Sequence, residues 1–382
     1  MARRIAIVGV GESEFGDVPG KNSLQLHAEA AKAALDDAGL EKKAVDGLFS
    51  AGVHMMHPLV VAEYLGLRPS YTDSTMTGGG TWEYFVEHAV GAIEAGLCET
   101  ALLVYAATER SDVKKRLRTA DLPPLPRGPS QFEAAYGLTL IGKYALAARR
   151  HMHQYGTTGE QLAEISVAAN RWAQKNPSAF NHGRPISVEQ VLSSRMIADP
   201  LHHLDCCLRT DGGGAVVITT EERARDLKKK PVAVLGTGTA HSHFTMSQWE
   251  DLTDMVARES GERAYRRAGV KPADIRLAMI YDSFTITVLL TLEALGFCKR
   301  GEGGAFVSGG TLAPGGRFPI NTDGGALHSN QPGMRGIFLL IEAARQLRGE
   351  SGERQVETGG LVLVNGTGGY LSACGTVILG RA

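Results

Sequence analysis

The sequence has no excess of charge of either sign and no long apolar run. Over its 382 residues, 40 Lys and Arg residues balance 41 Asp and Glu residues. Nucleic-acid-binding proteins normally carry a basic surplus, so this balance argues against that class. No apolar stretch approaches the ~18 residues that a membrane-spanning helix needs. These two absences predict a soluble globular protein with no nucleic-acid partner and no membrane span.

Cysteine is scarce, and the N-terminus lacks the pattern of a secretion signal. The five cysteines are odd in number, and no two of them form a C-x-x-C pair. The opening "MARRIAIVGVGESEF" has only a short apolar run, which Glu12 and Glu14 follow, so we interpret it as a first strand. We therefore expect a cytoplasmic protein with reduced thiols.

Glycine, in contrast, is abundant, and the glycine-rich segments occur in pairs. The chain has 47 glycines, against a usual share of about 7%. Four segments recur later in the chain in the same order: 4–12 with 231–239, 33–49 with 263–279, 78–96 with 324–349, and 101–106 with 360–365. The repeats predict two related α/β halves, residues 1–225 and 226–382.

The first half contains a long additional stretch. Residues 107–200 include the segment "TADLPPLPRGPS" and helical patterns around 133–153 and 159–175. We predict a loop-and-helix insertion here, and insertions on α/β scaffolds commonly carry substrate and partner surfaces.

Four motifs in the second part of the chain carry a family resemblance. They are "PLHHLDCCLRTDGGGAVVI" (200–218), "YDSFTITVLLTLEALGFCKRGEG" (281–303), "GGRFPINTDGGALHSNQPGM" (315–334) and "VNGTGGYLSACGTVIL" (364–379). With them the chain resembles the thiolase superfamily, in the branch of sterol-carrier-protein-type thiolases, lipid-transfer proteins and steroid side-chain aldolases. The resemblance implies a thiolase-like fold, a duplicated βαβαβαββ unit in a layered α/β/α/β/α sandwich.

The same comparison identifies residues that differ from the family's catalytic set. The position of the acylated cysteine holds Met76, and the family's Gly-His-Pro histidine corresponds to Gln331. The C-terminal cysteine or His-Asn pair corresponds to Val364 and Asn365, and the His or Asn of the "HDCF" or "NEAF" turn corresponds to Tyr281. The scaffold is thus retained, whereas the thiolase residues are replaced.

Tyr281 is the leading candidate for acid–base chemistry. It ends an apolar strand and precedes a helix, where ligands bind in open α/β sheets. The phenol can act as a general acid or base or as an oxyanion donor, or the ring can simply cover the core. Asp282 is expected to cap the following helix. His328 either takes over the histidine role from a shifted position, holding the phenol of Tyr281, or faces solvent.

The resemblance also suggests how the rest of the site is built. Asn365, the loop glycines and a helix starting near Thr77 can supply donors to a thioester enolate. The residues expected to line the substrate and oxyanion are Met76, Thr77, Gly78, Gln331, Gly366 and Gly368. The loops at 52–60 and 240–248 are expected to shape the acyl-CoA pocket, the second through His241 and His243. Cys374 is the candidate for a relocated nucleophile, although free cysteines are more often buried.

Two other kinds of site are not favoured by the sequence. The segment "GVGESE" has Glu14 where a dinucleotide-binding turn needs its third glycine. Histidine pairs occur at 54–57, 151–153, 202–203 and 241–243, but a pair without a third ligand is weak evidence for zinc. We predict no metal site.

Three functions remain open from the sequence. The first is an enzyme that makes or breaks a C–C bond beside a CoA thioester, foremost by retro-aldol cleavage of a 3-hydroxyacyl-CoA without an acyl-cysteine. The second is thiolytic or Claisen acyl transfer with a relocated nucleophile, either Cys374 or a Thr or Ser near position 76, and the third is a non-catalytic acyl-CoA-binding subunit. In each case coenzyme A thioester is the substrate or ligand, and no covalently bound cofactor is expected.

The resemblance further implies two protein partners. One is a second copy of the chain, bound through the sheet edge of the first half. The other is a small companion protein with a zinc ribbon and an OB-fold, bound near the insertion. The segment "LPPLPRGPS" (122–130) is a candidate docking or substrate loop.

Overall fold

The computed structural model describes residues 4–52, 56–115, 128–136 and 139–382. The strands in these ranges are β1 Ile5–Glu12, β2 Gly47–Phe49, β3 Tyr71–Asp73, β4 Thr100–Ala107, β5 Met196–Ala198, β6 Leu201–His202, β7 Gly212–Thr220, β8 Val232–His241, β9 Ala278–Ile280, β10 Leu361–Gly368 and β11 Ala373–Arg381. The helices are α1 Ser23–Ala38, α2 His57–Leu65, α3 Thr81–Glu94, α4 Glu109–Lys115, α5 Ser130–Ala134, α6 Leu140–Tyr155, α7 Gly159–Ala173, α8 Val188–Ser193, α9 Glu221–Ala224, α10 Ala257–Ala268, α11 Thr285–Ala294, α12 Gly303–Val307, α13 Gly325–His328 and α14 Gly336–Arg348.

The order of the main sheet is symmetric about its centre. It runs β3-β2-β4-β7-β1-β8-β11-β10-β9, and β1 and β8 meet through the pairs Ala6 with Ala233 and Ile7 with Val232. Outward from this junction, each half presents its first, fifth, fourth and second strand. Beyond β9, a single parallel bridge between Ala278 and Ile320 takes the place of the third strand. The duplicated halves are therefore present, joined edge to edge.

Helices lie in three layers around the strands. The central helices α3 and α14 pack against strands of both halves, and their apolar side chains form one core with the inner faces of those strands. On the outer faces, α1 packs on the first half and α10 and α11 pack on the second. This arrangement is the predicted α/β/α/β/α layering.

The repeated Gly-x-Gly of β1 and β8 has a packing role. A Cβ atom at Gly9 would overlap the carbonyl oxygen of Ala34 in α1, and one at Gly236 would overlap that of Ala264 in α10. The glycines thus let each outer helix approach its strand closely. Helix packing therefore accounts for the recurrence of the motif in both halves.

The insertion lies between β4 and β7. Of the predicted helices, those around 133–153 and 159–175 are present as α6 and α7. The docking segment 122–130 lies largely outside the described residues, as does part of the loop at 52–60. Within the described ranges, no helix is both long enough and apolar enough to cross a bilayer.

Candidate active site

A glycine turn precedes α3 and delays the start of the helix. The helix begins at Thr81 rather than near Thr77, because Gly78 is in the left-handed region with φ of 90°. The hydroxyl of Thr81 donates to the Gly78 carbonyl at 2.7 Å and accepts from the Thr77 N–H at 3.0 Å. Met76 lies just before this turn with 48% of its surface exposed. The expected helix start near Thr77 is therefore wrong by one turn.

The turn packs directly on the glycines of β10. A Cβ atom at Gly78 would lie 3.1 Å from the Cα of Gly368, and one at Gly80 would lie 2.6 Å from the carbonyl carbon of Gly366. Both β10 glycines belong to the strand itself, which continues through Gly368, rather than to a loop. The structure thus brings together three of the residues expected at the substrate, with no side chain between them.

Tyr281 meets this turn from the end of β9. Its backbone N–H donates to the carbonyl of Asn365 at 2.9 Å, which places it beside β10. Its side chain is 4% exposed, and a Cβ atom at Gly79 would lie 2.5 Å from the phenol oxygen. Burial raises the pKa of the Tyr281 phenol, which the hydrogen bond from Gln331 offsets only in part. At neutral pH the phenol is protonated and serves as a donor.

Gln331 holds the phenol of Tyr281. Its Nε2 donates to the phenol oxygen at 2.9 Å and to the Gly333 carbonyl at 3.2 Å. Its backbone N–H donates to the hydroxyl of Thr210 at 2.9 Å. Tyr105 of β4 fixes the same loop, because its hydroxyl donates to the carbonyl of Pro332 at 2.5 Å. The residue at the family's histidine position therefore orients the phenol.

Asp282 stabilises a different helix from the one expected. It accepts hydrogen bonds from the backbone N–H groups of Ala326 and Leu327, at 2.8 and 3.2 Å, in the short helix α13. The helix after it, α11, has no side-chain cap. The expectation that Asp282 caps the following helix is wrong, because its carboxylate turns to the loop that carries Gln331.

Arg335 completes this arrangement and was not identified from the sequence. Its side chain is fully buried, its guanidinium pairs with Asp323, and its Nε lies 3.8 Å from Asp282 Oδ1. Burial raises the pKa of Asp282 to about 6, while Arg335 and the two N–H groups oppose the rise. The ion pairs hold the loop of Gln331 against the turn of Tyr281.

His328 lies in the core and its ring nitrogens bind other residues. Nδ1 accepts from Asn181 Nδ2 at 2.9 Å, and Nε2 lies 3.1 Å from Ser166 Oγ, which donates to the Leu204 carbonyl. This pattern defines the neutral tautomer with hydrogen on Nε2. Burial lowers the pKa of His328 to about 3. The hydroxyl of Tyr281 is held by Gln331 rather than by His328, and His328, which is 1% exposed, does not face solvent.

Asn365 and Cys374 are both engaged within the second half. The Nδ2 of Asn365 donates to Thr376 Oγ1 at 2.8 Å and to the Gly375 carbonyl at 3.3 Å. Cys374 is fully buried, with its Sγ 3.5 Å from Thr367 Oγ1. Burial raises the pKa of its thiol to about 12, so the thiolate needed for acyl transfer does not form at neutral pH.

Of the two histidines expected at the acyl-CoA pocket, His243 lies at a separate cavity and His241 does not line it. His243 stacks on Trp249 with 5.3 Å between ring centres, and both line a cavity of about 380 Å³. His241 is exposed at the end of β8. The backbone N–H of Ser242 donates to the carbonyl of Ser372, which ties this loop to the segment after β10. No group of three or more metal-ligating side chains occurs among the described residues.

Known proteins are similar in sequence to this chain over most of its length. Residues 238–381 match the family profile described as thiolase C-terminal domain-like. A 17-hydroxy-3-oxo-4-pregnene-20-carboxyl-CoA lyase of Mycobacterium tuberculosis is 36% identical over 361 residues, 92% of this chain and 93% of the relative. A steroid side-chain-cleaving aldolase of Thermomonospora curvata is 36% identical over 374 residues, 95% of each chain. The chain belongs to the thiolase superfamily.

A solved structure extends this agreement to the whole fold. The structure named Ltp2-ChsH2(DUF35) aldolase superposes with a TM-score of 0.90 at 35% identity, covering 99% of this chain and 98% of that one. The candidate site in this chain consists of Tyr281, Gln331 and the glycines of the α3 turn and β10. Arg335 and Tyr105 could be found from the sequence only through weak signals: a charge before the apolar run "GIFLLIEAA" and an aromatic inside "ALLVYA".

Proposed function

We propose that this chain cleaves a C–C bond of a 3-hydroxyacyl-CoA by a retro-aldol reaction, without an acyl-cysteine. The observation that carries the proposal is the buried phenol of Tyr281, held at 2.9 Å by Gln331 beside the glycine turn of α3. Met76 stands at the position of the family's cysteine, and Cys374 is buried. Two relatives at 36% identity, named a lyase and an aldolase, support the same reaction class.

The reaction breaks the C2–C3 bond of the acyl chain. The substrate hydroxyl gives up its proton, the C3 oxygen becomes a carbonyl, and the bonding electron pair moves into the thioester as an enolate. The protonated phenol of Tyr281 donates a hydrogen bond to the oxygen on which charge changes, and Gln331 fixes its direction. The positive end of α3 at Thr81 stabilises negative charge beside the glycine turn.

The test compares two thioesters that differ in oxidation state at C3. The purified chain is incubated with 17-hydroxy-3-oxo-4-pregnene-20-carboxyl-CoA, the compound in the name of the M. tuberculosis relative, and separately with a 3-oxoacyl-CoA plus free CoA. Mass spectrometry measures the short acyl-CoA and the ketone. We expect cleavage of the hydroxyacyl thioester alone. Cleavage of the 3-oxoacyl thioester alone would contradict the proposal and favour thiolysis.

We also propose a homodimer through the edge strand β3. This strand is outermost in the first half of the sheet, and an edge strand offers backbone groups to a second chain. Sedimentation at micromolar concentration is expected to give the mass of two chains. A single-chain mass would contradict this part of the proposal.

The companion protein is a further part of the proposal. The solved relative's name joins two components, Ltp2 and ChsH2(DUF35), and insertions on α/β scaffolds, such as residues 107–200 here, commonly carry partner surfaces. We propose a small zinc-ribbon and OB-fold protein bound there. Affinity purification from the native host should recover it together with activity. Recovery of the homodimer alone, with full activity, would remove this element.

A further inference from the structure

Glu83 is a buried carboxyl next to the glycine turn of α3. It lies in the first turn of α3, is 1% exposed, and neither of its oxygens has a hydrogen-bond partner on another residue within the described part of the chain. A buried polar group without a hydrogen-bond partner lowers the stability of the folded state. A carboxyl kept there at that cost needs an explanation.

Glycines of three different elements make the space for this carboxyl. A Cβ atom at Gly366 would overlap Glu83 Oε2, one at Gly336 would lie 2.5 Å from it, and one at Gly375 would lie 2.5 Å from Glu83 Cβ. Any larger residue at these positions would displace the side chain. The second half is thus shaped around Glu83 at the position where β10 meets α3.

The same glycines connect the carboxyl to Tyr281. The Cβ direction of Gly366 points at Glu83, that of Gly80 at Gly366, and that of Gly79 at the phenol. Only backbone therefore separates Glu83 from the glycine turn at the acyl site. Trp82, the residue before Glu83, packs against the same space, because its Cδ1 lies 2.9 Å from the Cβ position of Gly336. Its indole Nε1 also lacks a hydrogen-bond partner among the described residues.

An acidic residue in the first turn of a helix is commonly an ionised cap. Glu83 differs from such a cap because it has no partner on another residue and no cation beside it among the described ion pairs. Burial raises the pKa of Glu83 well above its usual range, and its own backbone N–H offsets this only in part. The carboxyl is accordingly neutral and carries a transferable proton at neutral pH.

We propose that Glu83 is the internal proton donor of the acyl-CoA site. This proposal rests on the retro-aldol function. As the C2–C3 bond breaks, the proton of the substrate hydroxyl passes to one oxygen of the Glu83 carboxyl while the proton on its other oxygen passes to C2, giving the carbonyl product and the shorter acyl-CoA. The carboxyl is neutral before and after each turnover, so no other acid or base is consumed.

The test uses an isosteric pair of variants on one helix. Glu83→Gln keeps the shape and neutrality of the side chain but removes the transferable proton, and we expect kcat to fall about 10²–10⁴-fold with KM nearly unchanged. Glu87→Gln is the matched control, because Glu87 pairs with Arg267 at 2.6 Å at the surface, and its kcat should stay at the wild-type value. Full activity of Glu83→Gln would overturn the proposal.

Infrared spectroscopy of the wild type provides a second readout that does not depend on the variant's folding. A C=O band of a protonated carboxylic acid should persist at pH 7.5 and shift when an unreactive acyl-CoA binds. Absence of that band would overturn the proposal. The wild-type assay separates the two levels: an inactive wild type refutes the retro-aldol function, whereas an active wild type with an equally active Glu83→Gln refutes only the role of Glu83.

Discussion

The substitution Tyr281→Phe tests the acid–base assignment with little disturbance of the fold. It removes one oxygen and keeps the buried ring. The donor left behind, Gln331 Nε2, retains its second bond to the Gly333 carbonyl at 3.2 Å. We therefore expect a loss of only about 1 kcal/mol in the free energy of unfolding, the net value of one hydrogen bond. Because removing one positioned hydrogen-bond donor to developing charge typically costs about 10²–10³-fold in kcat, kcat for cleavage of the hydroxyacyl thioester should fall at least about 100-fold.

The matched control is Tyr265→Phe. Tyr265 is a buried tyrosine of α10 in the outer layer, and its hydroxyl donates to the Leu295 carbonyl at 3.1 Å. This variant should lose a similar free energy of unfolding, measured by urea denaturation, and keep the wild-type kcat in the same coupled assay of acyl-CoA release. Equal activity of Tyr281→Phe and Tyr265→Phe would refute the role given to the phenol.

Three further predictions concern the residues around the site. Cys374→Ala should cleave the hydroxyacyl thioester within about threefold of the wild-type rate, since the thiol is buried and protonated; an inactive, folded variant would restore the case for acyl transfer. Arg335→Met should lower the free energy of unfolding, measured by urea denaturation, by about 3–5 kcal/mol, because it leaves Asp323 and Asp282 buried without their cation. The control is Arg149→Met, which removes an exposed pair with Asp199 and should lower it by less than about 1 kcal/mol. For His328, the folded-state pKa near 3 lies below the usual 6.5, so below pH 6.5 the unfolded chain binds a proton that the folded chain does not. The free energy of unfolding of the wild type should therefore fall by about 2 kcal/mol more than that of His328→Gln between pH 8 and pH 5. An equal pH dependence of the two free energies would contradict this.

The duplicated architecture was accessible from the sequence because the repeats are made of local signals. An apolar strand ending in Gly-x-Gly at Gly9 and Gly236 recurs at matching positions, and each glycine is required where an outer helix packs on the strand. The start of α3 was placed one turn early because the left-handed conformation at Gly78 depends on its packing against Gly368. That contact joins the two halves and has no local signature.

The sequence indicates which residues form the candidate site, but not how their side chains contact one another. Tyr281 and Gln331 were both identified as replacements, but their hydrogen bond depends on how two distant loops fold together. His328 lies three residues before Gln331, yet its ring points to α7, where Ser166 accepts from it. Glu83 carries no signal in the sequence, because a glutamate early in a helix has the pattern of an ordinary cap.

The central claim is C–C cleavage without an acyl-enzyme, and its most direct test is a single-turnover reaction without added CoA. The enzyme, in excess, is mixed with the hydroxyacyl thioester, and both the small products and the intact protein mass are measured over time. We expect one ketone and one shorter acyl-CoA per substrate, with the protein mass unchanged throughout. A protein carrying an added acyl group, or a product that appears only when free CoA is supplied, would contradict it.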